Sequence, residues 1–130
     1  MRILLLVLLA LVTTPSLAKD KEGKWMQGGG VGGVTCPGFN EAMRQARKHR
    51  SDSLEFAKLT QGFVMYISGF ESGYNQAAPN TYDIFPSLTS DQTLSWTDHY
   101  CTEHLLVTFG DAVAALAAEM HPKRQVSDQP

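Results

Sequence analysis

The sequence predicts an all-α fold, a small four-helix domain closed by one disulfide. Three observations predict it. Apolar residues recur at three- and four-residue steps through most of the chain after residue 36. No segment alternates apolar and polar residues with a period of two over a useful length. The chain has two cysteines, Cys36 and Cys101, one before the first helical period and one inside the third.

Residues 1–18 have the pattern of a secretory signal. Arg2 supplies the positive start, Ile3–Val12 is a run of ten apolar residues, and Ser16-Leu17-Ala18 puts small residues at the −3 and −1 positions. Ten residues are too few to span a bilayer as a helix, which takes about 20. Cleavage after Ala18 and delivery to the bacterial periplasm are expected. Without Arg2, ten Lys and Arg face 13 Asp and Glu, a net charge of −3. A mildly acidic chain with no basic stripe argues against nucleic acid or an anionic membrane as a partner. No later segment is apolar enough to span a membrane. Export implies an oxidising compartment, so Cys36 and Cys101 are expected to pair, with two separate buried thiols as the alternative. Such a bond would contribute about 4 kcal/mol through the loop entropy it removes from the unfolded chain.

Residues 19–35 show no apolar period, and five of the six positions 28–33 are glycine. They read as a flexible leader. Gly28, Gly30 and Gly33 match G-x-G-x-x-G formally, but a charged segment stands where a nucleotide-binding unit needs a strand. Trp25 and Met26 are sizeable apolar groups that could dock on the domain.

The helical domain is expected over 36–121. Phe39, Met43 and Ala46 give a first amphipathic helix over about 38–49. Arg47, Lys48, His49 and Arg50 suit the negative end of its dipole. An anion-binding patch is the other reading of those four groups. Ser51-Asp52-Ser53 supplies a turn and an N-cap. The second helix runs from about Leu54 to Ala77, on a stripe of Phe56, Leu59, Phe63, Tyr66/Ile67, Phe70 and Tyr74, and Pro79 stops it. After a loop containing Pro86, Thr89 or Ser90 caps a third helix reaching His104. Thr108 and Asp111 form a capping-box variant that opens a last helix over about 109–120, which Pro122 ends. Residues 122–130 read as a polar tail.

Few residues group into chemistry. Asp98, Cys101 and His104 drift around the helix axis instead of converging, and no second ligand cluster pairs with them, so no metal is expected. His99 and Glu103 read as a surface pair. Gly69-Phe70-Glu71-Ser72-Gly73 resembles G-x-S-x-G, but its serine comes one place late and lies in a helical period. No catalytic residue and no cofactor are expected. Gly62, Gly69 and Gly73 each cost roughly 1 kcal/mol in a helix, which close approach of a neighbour could offset. Gly69, Gly73, Tyr74 and Asn75 are therefore read as a helix-packing motif, with a ligand groove as the alternative. Tyr82, Asp83, Ile84 and Phe85 form a loop that could insert into a partner.

Gly69-Phe70-Glu71-Ser72-Gly73-Tyr74-Asn75, then a loop, then a helix ending Tyr100-Cys101, resembles small exported helical proteins of the HdeA/HdeB acid-resistance chaperone type. The resemblance covers about 36–121. It implies a folded dimer that is idle near neutrality and that loosens in strong acid to cover unfolding clients. The cysteines here enclose a longer segment than is usual in that family, and the glycine-rich leader is extra. Type VI secretion immunity proteins of the Tai kind have a comparable helical, disulfide-bonded domain. The expectation is an exported protein-binding domain without catalysis. An acid-stress holdase leads, and an immunity protein or inhibitor of a periplasmic toxin or cell-wall enzyme follows. Protonating all 13 carboxyls and four histidines would take the mature charge from −3 to +14, which permits an acid response.

Overall fold

A computed structural model describes residues 29–129. The expected signal segment, its cleavage point, and Trp25 and Met26 lie outside the described residues. Four helices form the domain: α1 (Cys36–Ala46), α2 (Leu54–Ala77), α3 (Ser90–Glu103) and α4 (Phe109–Met120). Single 3-10 turns, Val31–Gly33 and His121–Lys123, precede and follow them. Among the described residues there is no strand, only isolated bridges at Thr35–Thr108 and Asp83–Gln125.

Each helix begins on a side chain that accepts an otherwise orphaned backbone N–H. Thr35 accepts from Gly38 N at 3.3 Å, and Pro37 fits the first turn, where no N–H is needed. That cap starts α1 two residues earlier than its apolar period suggests. The helix also stops at Ala46, so Arg47 to Arg50 lie in the turn beyond it. Ser53 caps α2 at Phe56 N. It ends where Ala78 turns extended, as the residue before Pro79 must. Thr89 with Gln92, and Thr108 with Asp111, form complete capping boxes on α3 and α4.

The core closes on three rings from three helices. Phe39 of α1, Phe63 of α2 and Phe109 of α4 have centroids 4.5–4.9 Å apart. Phe39 and Phe109 are fully buried, and Met43, Leu94, Val113 and Leu116 surround them. Leu59, expected on the core stripe, is 43% exposed, because the buried edge of α2 runs through Phe56, Thr60, Phe63 and Ile67. Cys36 and Cys101 are bonded and tie the start of α1 to the end of α3.

Both ends of the domain extend further than the sequence suggests. Val31–Gly33 is an ordered turn with Gly32 buried, and Val31 and Val34 pack on the core. Backbone bonds from Phe109 N to Val34 O (2.8 Å) and from Cys36 N to Val107 O (2.9 Å) hold this segment. The flexible leader therefore cannot run to residue 35. At the other end Gln125 exchanges backbone bonds with Asp83 (2.8 and 3.1 Å). Arg124 Nε donates to Asn80 O at 3.0 Å. The first residues of the expected polar tail are thus a strap over the α2–α3 loop.

The glycines of α2 divide. A Cβ on Gly62 would lie 3.2 Å from Val31 Cγ1, so this glycine admits the N-terminal turn. Gly69 and Gly73 would meet nothing within 4 Å, which corrects their reading as close-packing positions. Gly69→Ala should raise stability by about 0.5–1 kcal/mol in urea titration, because alanine relieves the helix-entropy cost without a clash. Gly62→Ala should fall below that value, since its methyl meets Val31.

Candidate functional site

The site with the most extended geometry is a groove between α2 and α3. α1 packs against both helices, which meet each other more sparsely. Three adjoining depressions follow α2. One lies between Met43, Phe56 and Leu94 near the α1–α2 turn. The next, about 340 Å³, shares Phe56 and Asp91 with it and runs past Thr60 to Val64 and Met65. The last shares Val64 and reaches Ile67, Glu71 and Phe85. From Phe56 to Glu71 the groove spans about 22 Å at the rise of an α-helix.

The central depression is chemically apolar despite its threonine, whereas the depression at Glu71 exposes mostly polar groups. Thr60 Oγ1 donates to Phe56 O at 2.9 Å, Thr93 Oγ1 to Ser90 O at 2.8 Å and Thr97 Oγ1 to Thr93 O at 2.9 Å. Each hydroxyl is satisfied by its own helix and asks nothing of a ligand. Phe56, Ile67, Phe85 and Leu94 are buried beneath, while Met65 stands at the rim, 65% exposed.

The charges along the groove are mostly acidic. Arg47 lines the first depression but is bonded to Asp98, which also accepts from Asn40 Nδ2 at 2.6 Å. Arg44 and Arg50 are spent on Glu41 and Asp52. Of the four groups read as an anion patch, Arg47 and Arg50 are therefore paired with carboxylates. Asp91 has no ion pair among the described residues. Glu71 closes the far end, near Asp83. Burial first, then the neighbouring Asp83 carboxyl, push the Glu71 carboxyl above its ordinary value. His49, Ser51, Asp91 and Ser95 share the first depression, and none of them is hydrogen-bonded to another.

The residues read as a partner-binding loop separate. Tyr82 is 55% exposed, but Ile84 and Phe85 are buried, which corrects their assignment to a presented surface. The loop turns inward because Asn75 Oδ1 accepts from Ile84 N and Asp83 Oδ1 from Phe85 N, both at 2.9 Å. Asn80 and Ser87 adopt left-handed conformations on either side. Tyr74 is an anchor too, its hydroxyl 2.8 Å from His121 Nδ1. Tyr74 and Asn75 thus fasten the loop and the C-terminal turn and do not pack helices together. The groove residues Val64, Met65 and Asp91 were not singled out by sequence. Their signal is the run Phe63-Val64-Met65-Tyr66-Ile67, apolar on more sides than one buried face requires.

His99 and Glu103 form the expected surface pair at 3.9 Å. Among the described residues no group of three or more His, Cys, Asp or Glu could hold a metal ion, and no helix is long and apolar enough to cross a membrane. No family model, curated protein or solved structure matches the chain.

Two outcomes test this geometry. A carboxyl raised in the folded state destabilises it when ionised, and the penalty disappears below its unfolded value of about 4.3. Glu71→Gln should therefore raise the melting temperature at pH 7, and the gain should shrink to nothing as pH falls through 4. Asn75→Ala strands the N–H of Ile84 and should cost about 1–3 kcal/mol in denaturant unfolding.

Proposed function

We propose that this chain is an exported, non-catalytic protein-binding domain whose partner occupies the α2–α3 groove. One observation carries the reading: a largely apolar depression running from Phe56 to Met65, with the Thr60 hydroxyl satisfied within α2, is open in the folded domain. Grooves of this kind take an amphipathic helix or an extended segment.

A groove formed in the folded state favours a partner bound near neutrality. That is the immunity-protein or inhibitor reading. The acid-stress holdase draws its support elsewhere, from the resemblance of the Gly69–Asn75 segment and Tyr100-Cys101, and from the charge reversal on protonation. It also draws on exposed Leu54, Leu105, Leu106 and Val126. The raised carboxyl of Glu71 acts against acid loosening, because protonation relieves it.

Pull-downs from periplasmic extract at pH 7 and pH 3, with Met65→Asp as control, separate the two. A folded binder should hold a defined partner at pH 7 and lose it with Met65→Asp. A holdase should instead suppress aggregation of two unrelated unfolding clients at pH 3 and do nothing at pH 7. Neither outcome would end the protein-binding reading.

A further inference from the structure

We propose that the groove selects a cationic amphipathic segment of its protein partner, whose apolar side chains lie on the Phe56–Val64 floor and whose basic side chains reach Asp91 and the Glu71–Asp83 pair. This rests on the groove being the binding surface. Two observations give the partner its charge. Asp91 borders the central depression with no ion pair, and Arg47, the arginine beside it in the groove, is already bonded to Asp98. At the far end Glu71 borders the last depression and, like Asp91, has no ion pair among the described residues, while the Asp83 carboxyl stands near enough to raise it. Two ionised carboxylates have only acceptors to offer, so this contact needs a donor from outside the pair. A proton supplies one in acid. A lysine brings three and an arginine five, and either would also remove the like-charge repulsion near neutrality.

The spacing narrows the partner further. Val64 borders both the Asp91 depression and the Glu71 depression, and Glu71 lies seven residues beyond it, about 10 Å along α2. Residues seven apart on a helix, or three apart on an extended chain, cover that interval from Val64 to Glu71.

The test uses three fluorescent 15-residue amphipathic peptides of leucine with lysine, glutamate or serine. Their polar residues sit at positions i and i+7, and anisotropy is measured at pH 7 in 150 mM salt. The lysine peptide should bind at least about tenfold more tightly than the glutamate peptide. That preference should vanish in the Asp91→Asn/Glu71→Gln variant and persist in Glu55→Gln, a charge change at the exposed start of α2. Equal binding of all three peptides, or a preference unchanged in the double variant, overturns the cationic partner. If Met65→Asp weakens those same peptides, the groove reading survives that result. If no peptide binds, or Met65→Asp changes nothing, the groove itself is wrong and the inference falls with it.

Discussion

Phe39 touches the rings of Phe63 and Phe109, and three residues before it Cys36 is bonded to Cys101. One turn of α1 is thereby fixed to all three other helices. This makes α1 a wedge. It packs on α2 and on α3, while those two meet sparsely. The groove on their outer side is a consequence of that wedge. Asn40 and Arg47, further along α1, both reach Asp98 and hold α3 in the same relation. Loss of the wedge would let α2 and α3 collapse together over Phe56 and Leu94.

Much of this fold was legible because helices announce themselves twice, by apolar spacing and by caps. α2 and α4 carry both signals, and their observed limits match the expected ones. α1 has a clear period as well, but Thr35-Cys36-Pro37 is a cap that the period alone does not reveal. Contacts made by backbone left no trace in residue types. Nothing about Val34 or Gln125 indicates that each would be held by a distant segment. The candidate site was legible only indirectly. A groove belongs to the angle between two helices, and periodicity describes each helix separately. The apolar loop residues Ile84 and Phe85 were misread for a related reason. A Pro-punctuated segment reads as surface, but Asn75 turns this one inward.

The charged groups pull in different directions as acidity rises. Glu41 is held below its ordinary value by its bonds to Arg44 and Gln45, so that surface contact weakens in acid. Glu71 is held above its ordinary value and gains from a proton. Surface pairs of the first kind contribute little. The second kind sits near Asp83, which the C-terminal strap holds. Acid thus frees the periphery while easing the strain on the loop that closes the groove.

The strap has a consequence for how the chain matures. Gln125 is bonded to Asp83, and Phe109 to Val34, so each end of the domain is secured by a segment far away in the sequence. Contacts of that range are slow to form, because a long loop must close before they give anything back. The helices can form as the chain emerges, but the N-terminal end cannot be fastened before residue 109 is made, nor the C-terminal end before residue 125. Folding is finished at the C-terminal end, by a clasp that no shorter nascent chain possesses.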